Sequence, residues 1–280
     1  MAKVLAHGVA LEVERFGDPA GDVLLMIRGL GSQIIHWPGS MIDAFVAAGL
    51  HVVVYDNRDA GLSQKFPDGP EYSLDDMAAD GLGVLDALGI ERAHVLGISM
   101  GGGILQRMLL AAPERIITAT IVFSSTWAAN LPGRTPEAEA LLLSDPGDPA
   151  VDREAVIDQL FRADRVWAGP AFLFDEGERR ALISRAIDRC YAPDGVARQY
   201  AAIMATPTVA ERLAEVRTPT LVVHGECDAL LPAEHGRDIA RRIPGARYVE
   251  IAGMGHDLDG GAGEIVAAEV IGFLGAHRAG

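Results

Sequence analysis

The chain reads as an α/β protein with one mostly parallel sheet covered by helices on both faces. Two observations predict this. Short apolar runs, several without polar interruption, alternate with longer segments of helical spacing, and fully apolar strands belong in a sheet buried on both faces. Polar and glycine-rich turns also recur at the ends of those runs, as they do where parallel strands deliver residues to one edge. In chain order the expected strands are Val9 to Arg15, Val23 to Ile27, His51 to Tyr55, Ala93 to Ile98, Ile116 to Phe123, Thr220 to His224 and Arg247 to Ile251. Ser73, with Asp76 three residues on, opens a helix that runs to about Leu88 in the manner of a capping box. Pro113 and Pro244 mark places where helices have already stopped.

The strand from Ala93 ends in Gly97-Ile98-Ser99-Met100-Gly101, which fits Gly-x-Ser-x-Gly at a strand-to-helix turn. Such a turn thrusts one serine hydroxyl into a pocket and points helix N-terminal amides at the same place. Taken alone the motif is weak, because glycine and serine also crowd ordinary turns. Its strength comes from two further strand ends. Thr220 to His224 runs into Gly225-Glu226-Cys227-Asp228, and Arg247 to Ile251 runs into Ala252-Gly253-Met254-Gly255-His256. Parallel strands place all three residues at one edge. Ser99 then has a base in His256 with a suitable pKa, and Asp228 is available to fix the tautomer of that base. Asp257 and Asp259 are rival acids, read here as exposed loop residues because Asp257 adjoins the histidine and would have to fold back sharply.

Val23 to Ile27 leads into Arg28-Gly29-Leu30-Gly31-Ser32. In a serine-elbow fold the oxyanion hole takes the amide after the nucleophile and one from the loop after the third strand, here Met100 and Leu30. Gly29-Leu30-Gly31 followed by Trp37-Pro38, Asp56 to Ser63, and Gly97 to Gly102 together resemble the α/β-hydrolase fold. More narrowly, the chain resembles the small serine esterases that include aclacinomycin methylesterase and lactonase-like enzymes. The resemblance spans nearly the whole chain outside a central insert and implies catalytic Ser99, Asp228 and His256. Arg28-Gly29 departs from the His-Gly of many relatives.

The alternation of strands and helices breaks between Trp127 and Glu215, which opens on a loop rich in proline and glycine and continues as mixed-charge helical sequence. An insertion after the sixth strand is where this fold grows a lid. The expected organisation is therefore a catalytic core of residues 1–126 and 216–280 with a helical cap of residues 127–215. Trp127, Trp167, Phe172, Phe174, Tyr191 and Met204 are candidates for the inner surface of the cap, and His36 and Trp37 for the pocket border. His36, Trp37, Trp127 and Trp167 are the expected substrate-binding residues.

Composition excludes several classes. The net charge is -15, against nucleic-acid binding or attachment to an anionic membrane. No opening stretch looks like a signal peptide, and no apolar run approaches the roughly 20 residues that span a bilayer. With only Cys190 and Cys227, no disulfide is expected and a cytoplasmic location is, Cys227 being read as a small packing residue beside Asp228. Gly29-Leu30-Gly31 lacks the third glycine of a dinucleotide fingerprint, the elbow lacks the Lys-Ser/Thr of a phosphate loop, and the histidines are scattered. Neither a cofactor nor a metal is expected. The expected partner is a small-molecule ester or lactone, cleaved through a covalent acyl-enzyme. Carbon-carbon hydrolysis of ring-cleavage products and a small-ligand receptor on the same scaffold remain as alternatives.

Overall fold

The computed structural model describes residues 2–67 and 71–277. Eight strands form one sheet in the order β1-β2-β4-β3-β5-β6-β7-β8. They are β1 (Ala2–Ala6), β2 (Val9–Phe16), β3 (Asp22–Ile27), β4 (Leu50–Tyr55), β5 (Ala93–Ile98), β6 (Ile116–Val122), β7 (Thr220–Gly225) and β8 (Arg247–Ile251). From β3 to β8 every pairing is parallel; β1 and β2 form an antiparallel hairpin, and β2 pairs antiparallel with β4. The mostly parallel sheet expected from the sequence is therefore present. β1 was not expected: only Ala6 in it is buried, so this edge strand lacks the apolar run that marks the others. By contrast, every residue of β4, β5 and β7 is buried.

Helices α1 (Gly39–Ala47) and α9 (Ala262–Gly275) cover one face, where Met41 and Phe45 pack with Val266 and Phe273 against Met26, Val54 and Leu96. On the other face lie α2 (Leu74–Ala87), α3 (Met100–Ala111) and α8 (Glu234–Arg242), with Met77, Ile104 and Ile239 against Leu25, Val53 and Val95. The neighbouring strand residues divide between these two layers because side chains alternate across a strand. At the start of α2, Ser73 Oγ accepts from the Asp76 amide while Asp76 Oδ2 accepts from the Ser73 amide, the expected capping box.

Between β6 and β7 the chain forms α4 (Pro136–Leu142), α5 (Pro149–Trp167), α6 (Glu176–Arg189) and α7 (Pro193–Ala205). Val156, Ile157 and Phe161 of α5 meet Ile183 and Ile187 of α6 in a small apolar cluster separate from the two main layers. No helix among the described residues is long and apolar enough to cross a membrane. The order of strands reverses between β3 and β5, since β4 lies on the far side of β3. A crevice opens at such a reversal, at the carboxyl ends of the strands.

Candidate active site

Ile27 of β3 pairs with Gly97 of β5, so the residues leaving these two strands, Arg28 to Leu30 and Ile98 to Met100, emerge side by side. Ser99 caps α3 with φ 53° and ψ -121°, a sparsely populated region for a residue with a side chain. The reversal is tight enough that a methyl group at Gly97 would lie 2.3 Å from the Gly101 carbonyl oxygen, and one at Gly101 would lie 2.2 Å from that of Ile27. Only glycine fits at either place.

β7 and β8 end further along the same edge and bring up the other two residues. His256 Nε2 lies 2.9 Å from Ser99 Oγ, and His256 Nδ1 lies 2.6 Å from Asp228 Oδ2. An ionised carboxylate can only accept, so Nδ1 carries the proton and Nε2 is left to accept from the serine hydroxyl. Asp228 Oδ1 accepts from the amides of Leu230 (2.9 Å) and Leu231 (2.8 Å). Burial opposes its charge, but the neighbouring His256 with its hydrogen bond, and His224 nearby, hold the carboxyl well below the usual range. His224 is a supporting residue that the sequence marks only as a strand-end histidine. Its Nε2 donates to the Leu231 carbonyl at 2.7 Å and sits 3.5 Å from Asp228 Oδ2. A histidine closing the apolar run Leu221-Val222-Val223, four residues before the acid, was the signal available.

The loop after β3 crosses directly beside the serine: a methyl group at Gly29 would lie 3.0 Å from Ser99 Cβ. The Gly29 carbonyl accepts from the Ser32 amide, and in a trans peptide the Leu30 N–H points the opposite way. Neither that N–H nor the Met100 N–H, first in its helix, is used by the described residues. The flanking groups are clamped, with Asn57 Nδ2 donating to the Arg28 carbonyl at 3.0 Å and the Gly31 amide donating to Gln199 Oε1 at 2.8 Å. Arg28 lays its guanidinium 4.7 Å from the centre of the Trp37 ring. Burial lowers Arg28 to about 10.

The remaining expected residues are spread around this centre. His36 Nδ1 accepts from the Gln33 amide and closes a short 3₁₀ turn; burial, reinforced by the Arg28 charge, pushes its imidazole down to about 3. With Trp37 it lines a cavity of about 400 Å³ bounded also by Phe174, Arg179, Leu258 and Asp259. Trp127 packs its ring over Gly103 on the first turn of α3. Trp167 meets the site through its backbone, accepting from the His256 amide at 2.5 Å.

Three expectations need correction. Asp257 and Asp259 are not exposed loop acids: both are partly buried and paired with Arg179, at 2.7 Å in the case of Asp259. Cys227 is exposed and does not pack beside Asp228. Met204 is 62 % exposed, so it lines no inner surface.

Against known proteins, the profile of the alpha/beta hydrolase fold matches residues 22–258. The chain belongs to this family. Among its members, a rhodomycin D methylesterase of Streptomyces peucetius is 32 % identical over 94 % of both chains. A putative carbamate hydrolase of Azorhizobium caulinodans is 30 % identical over 96 % of this chain and 97 % of its own length. The crystal structure of a hydrolase from Pseudomonas aeruginosa superposes with a TM-score of 0.76 at 27 % identity, covering 98 % of each chain. In this hydrolase-fold chain the serine, the acid and the histidine follow the order common to the fold.

Proposed function

We propose that the protein is a carboxylic ester hydrolase that works through a Ser99-His256-Asp228 triad and a covalent acyl-enzyme. The observation that carries this reading is the continuous line of hydrogen bonds from Ser99 Oγ through both ring nitrogens of His256 to a buried, amide-supported Asp228. Ser99 Oγ bonds to the ester carbonyl carbon as its proton passes to His256 Nε2. Asp228 stabilises the imidazolium so formed. The free amides of Leu30 and Met100, with the positive end of the α3 dipole, hold the negative oxygen of the tetrahedral intermediate. When the carbon-oxygen bond breaks, His256 returns the proton to the departing alcohol. Water then attacks the acyl-serine, giving a proton to the same nitrogen and regenerating the hydroxyl as the acid leaves.

Residues 127–215 form the lid of this site and residues 1–126 with 216–280 its core. The cavity beside His36 and Trp37 is lined by Asp175, Glu178, Arg179 and Glu264 and not by Ser99, Asp228 or His256, so a small to medium apolar substrate is proposed from the likeness to esterases and not from that cavity. The methylesterase relative supports an ester as that substrate. Lactones would use the same machinery, and the relative named a putative carbamate hydrolase makes a carbamate the natural competitor in a substrate panel.

A panel of esters varied in acyl and alcohol size, with lactones and a carbamate included, should give sustained turnover above about 1 per second on its best ester. A serine-directed phosphonate should abolish that turnover and label Ser99, and Ser99→Ala should lower it by about four to six orders of magnitude, as loss of a triad nucleophile does elsewhere. Labelling at Ser124 or Ser125, or an active Ser99→Ala variant, would refute the assignment.

A further inference from the structure

The loop that carries His256 is held from the core by the Cys227 amide donating to the Met254 carbonyl and by Glu226 accepting from the Gly253 amide, and from the other side by the insertion. Past the end of α5 the chain runs alongside it: the His256 amide donates to the Trp167 carbonyl, the Gly255 amide to that of Ala168 at 3.2 Å, and the Ala171 amide to that of Gly253 at 3.2 Å. The two backbones are so close that a methyl group on Gly255 would lie 2.0 Å from the Trp167 carbonyl oxygen. Immediately after His256, Asp257 turns its carboxylate to Arg179 of α6. The same Nη2 is 2.7 Å from Asp259 Oδ2, while Nη1 is 3.1 Å from Asp164 Oδ2 on α5. Arg179 is only 8 % exposed, and its guanidinium carbon lies 4.3 Å from the centre of the Phe174 ring. One planar group thus joins two insertion helices to the residue adjoining the histidine.

Resting on the triad reading, we propose that Arg179 is a positioning residue for His256, setting the imidazole between Ser99 and Asp228 by holding Asp257 and Asp259 to α5 and α6. Holding Asp257, Asp259 and the Asp164 carboxyl together needs the fixed fork of a guanidinium, which an ammonium cannot reproduce. A misplacement of about 1 Å at a reacting group is enough to cost about a hundredfold in rate. Arg179 touches neither Ser99 nor His256, so its effect must pass through the loop.

The test compares Arg179→Met and Arg179→Lys with the wild type. Arg179→Met should lower kcat on the best ester about ten- to a hundredfold with KM changed less than about threefold, and slow phosphonate labelling of Ser99 by the same factor as kcat. Arg179→Lys should recover part of both losses. Independently of any turnover, the downfield proton NMR resonance of His256 Nδ1–H should be sharp in the wild type and broadened or lost in Arg179→Met. If Arg179→Met fails to fold, Asp259→Asn should still lower kcat about three- to tenfold at constant KM. An unchanged kcat in the folded variant, a loss confined to KM, or an unaltered His256 resonance would overturn the proposal. A wild type that turns over no ester would count against the triad reading alone, and the resonance would still decide the role of Arg179.

Discussion

The sheet and the insertion hold their sides of the site by different means. Ser99, Asp228 and the Arg28 to Leu30 loop leave strands buried in a continuous hydrogen-bonded sheet, and their immediate supports are backbone amides, a helix N-terminus, the Asn57 side chain and an adjacent histidine. Beyond the backbone contacts of Trp167 to Ala171, α7 sets Ile203 into the core layer and Val196 against Gly31, and α6 and α7 otherwise reach the core through long polar side chains. Arg179 pairs with Asp257 and Asp259, Arg189 with Asp56, Arg198 with Asp59, and Gln199 bonds both the Gly31 amide and the Arg58 carbonyl. A sheet edge resists change because its geometry is shared among many backbone bonds. A seam of side chains concentrates its hold in a few groups, so single substitutions there can loosen the insertion while the core stays folded.

The largest expected contrast lies on the sheet side. Asp228→Asn should reduce kcat by up to about four orders of magnitude, the loss that the same exchange of the triad acid causes in a serine protease. A loss below about tenfold would mean that His224 or another group orients His256. At the seam, Arg198→Ala removes both bonds to the fully buried Asp59 carboxylate, at 2.7 and 3.0 Å, and leaves that charge without its cation. This should cost about 1–3 kcal/mol. The loss should appear as faster amide exchange across residues 127–215 with strands β3 to β7 still protected; uniform exchange throughout the chain would erase the distinction between seam and sheet.

An effect of similar size at the seam concerns pH. Burial raises Asp164 to about 7, although Arg179 opposes the rise, with Asp257 and Asp259 adding to it. The folded protein therefore keeps a proton on Asp164 from about pH 4 to 7 that the unfolded chain has lost, and stability falls as pH rises across that window. Asp228 has the opposite sign: its lowered pKa contributes stability above the ordinary carboxylate range, and this is lost on acidification. Asp164→Asn should accordingly flatten the decline between about pH 4 and 7, by on the order of 2 kcal/mol. Denaturant midpoints across that range would measure it, and parallel curves for variant and wild type would remove Asp164 as the cause.

The same division explains which parts of the molecule are legible in its sequence. Seven of the strands announce themselves as apolar or alternating runs, and the residues just beyond three of them are the ones that converge, because strand ends in a parallel sheet share an edge whatever the length of chain between them. β1 escapes such a reading because an exposed edge strand needs few apolar residues. Asp257 and Asp259 mislead for another reason. Their cation lies 78 residues away from Asp257 on a helix whose placement no local pattern encodes, so an acid in a loop looks solvated. Asp56 to Ser63 stands out only through family resemblance. In the structure Asp56 bonds the amides of Ile34 and Leu62, and Arg58 pairs with buried Asp80 at 2.6 Å, a density of contact that spacing alone does not reveal.

The ladder between Trp167 to Ala171 and Gly253 to His256 bears on how this scaffold diversifies. Because the insertion lends backbone to the stretch that bears the histidine, a cap transplanted from a relative has to arrive with a matching carbonyl at position 167 and room for glycine at 169 and 255. Grafts cut only at the obvious sequence borders would import a new pocket and disturb the His256 loop in one stroke. Exchanges that keep 167–171 together with 253–259 as a single transferable block would leave substrate choice free to vary.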